Sequence, residues 1–149
     1  MNQLSALYDA ALPWISDRGR RVLHSVVDSQ GRIPCAQDFA ISVELVNRHQ
    51  VARVLRTEGL PQIEELCAWV KTIHLIQEWE RTHRSLYALA IDAKMYPPNC
   101  YRLLKRVTGK TWTHACADGS TVMMMRFAGR CAELRCAPGI SEQNRSQIA

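Results

Sequence analysis

The chain has 149 residues, of which 47% are hydrophobic and 22% charged, a composition typical of a globular protein and not of a disordered one. Its formal charge of +5 favours polyanionic partners such as nucleic acid or an acidic membrane surface. No apolar run approaches the roughly 18 residues that a membrane span needs, and the N-terminus lacks the basic and apolar regions of a signal peptide. We therefore expect a cytoplasmic protein that does not enter the membrane.

Apolar residues recur at spacings of three and four along almost the whole chain, which predicts helices and no strands. In chain order, the predicted helices cover residues 3–15, with a break near Pro13, and residues 18–28, 34–40, 48–57, 61–81, 86–93, 97–107 and 122–135. Asn47 and Ser85 are the predicted N-caps of two of them, and Gly59 and Gly109 are the predicted stops. The polar tail after Pro138 is expected to fray.

An internal repeat gives the pattern a more specific meaning. Phe39–Leu45 is similar to Leu89–Met95, 50 residues further on, and Val51–Pro61 is similar to Cys100–Trp112 at an offset of 49. Each copy predicts a short helix, a tight turn, a longer basic helix and a glycine stop. The sequence therefore predicts an all-α fold of two helix-turn-helix subdomains bridged by a long linker helix.

This interpretation divides the chain into five parts. They are an N-terminal helical extension (1–17), a first helix-turn-helix subdomain (18–59), a linker helix (60–82), a second helix-turn-helix subdomain (83–112), and a C-terminal helix with a polar tail (113–149). Since the chain carries two units, a monomer is sufficient for binding, and a homodimer stays open as an alternative.

The second helix of each unit needs one apolar face for packing and one polar or basic face for the major groove of DNA. The residues expected to pack are Val51, Val54 and Leu55 in the first copy, and Cys100, Leu103, Leu104 and Val107 in the second. The candidate base contacts on the opposite faces are Arg48, His49, Arg53, Asn99, Tyr101 and Arg102. The candidate phosphate contacts are Arg56, Ser85, Lys105, Arg106 and Lys110. Arg53 and Arg102 lead the first group because arginine makes bidentate contacts to guanine.

Residues 85–112, SLYALAIDAKMYPPNCYRLLKRVTGKTW, resemble the AraC/XylS family of bacterial transcription regulators. Arg102, Leu104–Arg106 and Thr108–Gly109 fit the family pattern, and the first copy fits it more loosely. The resemblance implies two helix-turn-helix units that bind double-stranded DNA to regulate transcription, with RNA polymerase as a further partner. The sequence departs from the family pattern at Glu44 and Lys94, where the family usually has glycine in the turn. It also departs at Pro98, where the family often has a base-reading side chain.

Two other interpretations remain. One is a helical adaptor that keeps the helix-turn-helix scaffold but binds another protein. The other is a small metal- or redox-sensing regulator that uses its six cysteines, although these form no C-x-x-C pair and reduced thiols are the simpler expectation. No paired catalytic groups, P-loop or metal-ligand motif is present in the sequence, so we expect no enzyme activity, cofactor or bound metal.

Overall fold

The computed structural model describes residues 3–136, and within that range the chain forms eight helices and no strand. The helices are α1 (Gln3–Ala11), α2 (Asp17–Asp28), α3 (Ala36–Ser42), α4 (Arg48–Thr57), α5 (Ile63–Thr82), α6 (Leu86–Asp92), α7 (Pro97–Thr108) and α8 (Trp112–Cys136). The all-α prediction is confirmed for this part of the chain. The polar tail after Pro138 lies outside the described residues. No helix between residues 3 and 136 is both long and apolar enough to cross a membrane.

The predicted helix ends are confirmed where a local signal sets them. The Asn47 Oδ1 atom accepts hydrogen bonds from the backbone N–H groups of His49 and Gln50, both at 3.0 Å. The Ser85 hydroxyl oxygen accepts one from the Ala88 N–H at 3.2 Å. Such caps satisfy donors that the first turn of a helix leaves free. At the other end of α7, Gly109 adopts a left-handed conformation with φ 69°.

The prediction missed a helical segment before the last predicted helix. α8 spans Trp112–Cys136, but Gly119 inside it has a non-helical backbone, with φ 88° and ψ 168°, so two helical segments meet there at a kink. The predicted start near Val122 falls just after that kink, whereas the segment that begins at Trp112 was not predicted. Ala115 and Cys116, which precede the break, are buried. The polar sequence of the segment before Gly119 therefore gave no sign of a helix in its apolar periodicity, although the segment packs against the rest of the protein.

The first helix ends at Ala11, in agreement with the break predicted near Pro13, because proline cannot continue the hydrogen bonding of a helix. Other boundaries differ by a few residues. The third helix begins at Ala36, two residues after Pro34, and extends to Ser42, and α5 begins at Ile63 and not at residue 61. These differences fall at helix ends, which a sequence pattern specifies least well.

The buried side chains form two clusters. The larger cluster takes residues from α1 to α5 and α8, together with Leu104 of α7, and includes the contacting rings of Tyr8, Trp69 and Phe127. The smaller cluster consists of Leu75, Leu86, Leu89, Ala90 and Cys100 from α5, α6 and α7. The Trp112 side chain packs against both clusters. The helices α5 and α8 therefore connect the two halves of the molecule.

Candidate nucleic-acid interface

The pairs α3–α4 and α6–α7 have the same backbone hydrogen bonds at their turns. The Leu45 N–H donates to the Ala40 carbonyl at 2.8 Å, and the Met95 N–H donates to the Ala90 carbonyl at the same distance. Ala40 and Ala90 are both fully buried. The two segments that the sequence repeat aligns therefore close their turns in the same way.

The turn residue of each pair lies in the left-handed region of backbone conformation. Glu44 has φ 63° and Lys94 has φ 57°, values that glycine adopts without strain and other residues rarely adopt. These are the two positions at which the AraC/XylS pattern has glycine. The Glu44 carboxylate also accepts a hydrogen bond from Arg21 at 2.5 Å, whereas Lys94 is exposed.

The inner faces of α4 and α7 are the predicted ones. All three predicted residues of α4 are buried, and α7 buries two residues and half-buries two more. They are Val51, Val54 and Leu55 on α4, and Cys100, Leu104, Leu103 and Val107 on α7. This packing orients each helix so that its opposite face points to solvent. Helix α2 contacts α4, and helices α5 and α8 contact α7.

The outer faces of α4 and α7 carry six exposed cations, and neither helix contains an aspartate or a glutamate. The six are Arg48, Arg53 and Arg56 on α4, and Arg102, Lys105 and Arg106 on α7. None of them forms an ion pair with any residue between 3 and 136. Several cations elsewhere are paired, for example Arg84 with Asp92 and Arg130 with Glu65. The two outer faces are thus uncompensated positive surfaces.

The remaining predicted contact residues divide into two groups. His49, Asn99 and Tyr101 are exposed on the same outer faces. The Ser85 hydroxyl is engaged as a helix cap, and the Lys110 Nζ atom lies 2.7 Å from an Asp118 carboxylate oxygen. Arg126 approaches the same oxygen at 3.2 Å. The charge of Lys110 is therefore compensated within the protein, unlike the charges of the six outer cations.

Sequence reasoning missed a pair of exposed apolar side chains just before α4 and α7. Val46 is 68% exposed and Tyr96 is 66% exposed. The Val46 backbone is held from both sides: its N–H donates to Gln50 and its carbonyl accepts from Gln37, both at 2.9 Å. The 50-residue offset aligns Val46 with Tyr96, so the repeat was the signal that could have revealed them.

The cysteines form no disulfide within residues 3–136, and no group of three or more histidine, cysteine, aspartate or glutamate side chains in that range could hold a metal ion. Cys100, Cys116 and Cys131 are buried, and Cys35 and Cys136 are exposed. Burial raises the pKa of the Cys131 thiol to about 12, which keeps it protonated and unreactive at neutral pH.

The geometry described so far is that of an all-helical protein with two similar helix pairs and a basic surface on the second helix of each. No family model, no curated protein and no solved structure matches the chain.

Proposed function

We propose that the chain binds double-stranded DNA in a sequence-specific manner and regulates transcription, as the resemblance to the AraC/XylS family implies. In this proposal α3–α4 and α6–α7 are helix-turn-helix units, α5 links them, and α4 and α7 are the recognition helices. The observation that carries the proposal is the set of six uncompensated cations on the outer faces of α4 and α7. DNA supplies the regular array of negative charge that such surfaces lack.

An exposed arginine on a helix is usually just solvated. Two features distinguish these residues from that ordinary case. Arg53 and Arg56 on α4 correspond to Arg102 and Lys105 on α7 at the 49-residue offset of the repeat. Both helices also lack carboxylates, which most solvated helix faces intersperse with their cations. A charge pattern repeated on two independently packed helices favours a shared ligand.

The proposal gives these residues separate roles. Arg53 and Arg102 read guanine through paired hydrogen bonds, with Arg48, His49, Asn99 and Tyr101 as neighbouring base contacts. Arg56, Lys105 and Arg106 bind phosphates, where charge matters and base identity does not. Ser85 and Lys110 complete the phosphate contacts, although Lys110 would exchange its ion pair with Asp118 for one with the DNA. Two recognition helices on one rigid chain would enter major-groove segments about 34 Å apart, one turn of duplex.

Selection from a pool of random 30-base-pair duplexes tests the proposal directly. We expect the purified chain to enrich two short motifs about 10 base pairs apart. On an enriched duplex, Arg102→Ala should weaken binding by about 1–3 kcal/mol. Arg81→Ala is the matched control, because it removes the same charge from an exposed residue of α5 that pairs with Glu78. Failure to bind any duplex at low salt would exclude the proposed function.

A helical protein-interaction adaptor is the second candidate, favoured by exposed apolar residues on the outer faces of the short helices. Ile41 on α3 is 61% exposed, and Tyr87 and Ile91 on α6 are 59% and 52% exposed. An adaptor would bind its partner with little dependence on salt, since its contacts would be mainly apolar. DNA binding would weaken steeply with salt. A measurement of binding at increasing salt concentration therefore distinguishes the two candidates.

A further inference from the structure

The N-terminal halves of α4 and α7 differ in chemistry although their backbones correspond. At the start of α7 and at its N-cap, the exposed residues are Tyr96, Pro98, Asn99 and Tyr101, which present two aromatic rings, a proline ring and one amide. At the 49-residue offset, Pro98 corresponds to His49 and Tyr101 to Ala52. The start of α4 thus exposes Arg48 and His49 beside the smaller apolar side chains of Val46 and Ala52, whereas the start of α7 exposes a larger apolar surface.

The apolar surface of α7 is continuous with its cationic surface. Tyr101, Arg102 and Lys105 lie three, four and seven residues after Pro98, so the four residues share one face of the helix. Tyr101 is 48% exposed, and within residues 3–136 no side chain hydrogen-bonds to its hydroxyl or to that of Tyr96. From its N-terminus to its C-terminus, the outer face of α7 therefore changes from apolar to positively charged.

Duplex DNA is the partner whose surface matches this order. A recognition helix contacts base edges mainly through its N-terminal residues, while cations further along reach the phosphates. The main apolar group that base edges present in the major groove is the C5-methyl of thymine. An apolar protein partner would match Tyr96 and Tyr101 but would leave Arg102, Lys105 and Arg106 without counter-charges.

We propose that Tyr96, Pro98 and Tyr101 form an apolar contact surface for thymine methyl groups. In this proposal α7 recognises its half-site through thymine methyls together with the guanine contact of Arg102, whereas α4 recognises its half-site mainly through hydrogen bonds. This inference rests on the proposed DNA-binding function and assigns different base preferences to its two units.

Deoxyuridine substitution provides the test, because uracil pairs as thymine does but lacks the methyl group. The probe is a 30-base-pair duplex enriched from the random pool, and its α7 half-site is the motif whose preference is lost with Arg102→Ala. We expect deoxyuridine in that half-site to weaken binding by about four-fold for each contacted methyl. The same replacement in the α4 half-site should weaken binding less, because Val46 and Ala52 present a smaller apolar surface.

Tyrosine variants assign the effect to a side chain. Tyr101→Ala should bind thymine and deoxyuridine duplexes alike, while Tyr101→Phe should keep the preference for thymine. Circular dichroism verifies that both variants are folded. The comparison of the two duplexes with the unmodified chain does not depend on any variant.

Equal binding of the two duplexes by the unmodified chain would overturn the inference while leaving DNA binding intact. Equal losses with Tyr101→Phe and Tyr101→Ala would also overturn it, since the hydroxyl would then be the contact. A chain that binds no duplex at low salt would overturn both proposals.

Discussion

The salt dependence of DNA binding is the most direct quantitative consequence of the six uncompensated cations. Each phosphate neutralised on B-DNA contributes about −0.9 to the slope of log affinity against log salt concentration. The proposal places three of the six on phosphates, namely Arg56, Lys105 and Arg106, so the slope should be about −2.7 or steeper, with a limit of about −5 if all six neutralise phosphates. A slope of about −2.7 corresponds to a fall in affinity of about 40-fold between 50 and 200 mM salt. Lys105→Ala combined with Arg106→Ala should make the slope shallower by about 2. Arg53→Ala combined with Arg102→Ala should also reduce sequence preference.

Fluorescence anisotropy with a labelled duplex measures this slope. The matched control is Arg32→Ala combined with Arg81→Ala, which removes two exposed positive charges from outside α4 and α7. We expect the control to keep nearly the full slope, because neither residue belongs to the proposed recognition helices α4 and α7. A slope shallower than about −2 for the unmodified chain would refute the reasoning, since it would mean that few of the six cations meet a phosphate. An equal loss of slope in the control would show that net charge, and not the α4 and α7 surfaces, determines binding.

Three further predictions concern stability and reactivity. Gly59 and Gly109 have nearly equal positive φ, but a β-carbon would clash with Arg135 at Gly59 and would meet nothing within 4 Å at Gly109. Urea denaturation should therefore show a loss of about 1 kcal/mol for Gly109→Ala and a larger loss for Gly59→Ala, and equal losses would contradict this. Burial lowers the pKa of His74, so the unfolded state binds its proton more readily. The free energy of unfolding should accordingly decrease as the pH falls below about 6.5, and less so in His74→Gln. Thiol titration should find fast and slow classes, and reaction of all thiols at one rate would argue against the described burial. The fast thiols are Cys35 and Cys136, and the slow ones are Cys67, Cys100, Cys116 and Cys131.

Local signals explain how much of the fold could be predicted. The predicted range of α4 agrees with the structure, because Asn47 caps its start and a glycine follows its end. The start of α8 also has a local signal, since the Thr111 hydroxyl oxygen accepts a hydrogen bond from the His114 N–H at 3.5 Å. The segment that follows was missed because the kink at Gly119 interrupts the apolar periodicity, and the burial of Ala115 and Cys116 is visible only in the structure.

The same distinction applies to the candidate interface. The outer faces of α4 and α7 were predictable because each helix is strongly amphipathic, so its periodicity separates packed residues from exposed ones. The ion pair of Lys110 with Asp118 was not predictable, because it joins residues on either side of the unexpected start of α8. The ion pairs of a charged residue next to a basic helix must therefore be known before a ligand contact can be assigned to that residue.

The turns connect the two helix pairs to the proposed function. A non-glycine residue in the left-handed region costs roughly 1–2 kcal/mol, and this chain bears that cost at both Glu44 and Lys94. The two residues have opposite charges, and of the two only Glu44 forms an ion pair with a residue between 3 and 136, so the side chain is not what the two turns share. What they share is the backbone path, which the hydrogen bonds to Ala40 and Ala90 close at the same distance. Both turns adopt this backbone path despite its strain, and the path sets the angle between each basic helix and the short helix before it. Two recognition helices need such fixed orientations to enter the major groove of a rigid duplex together.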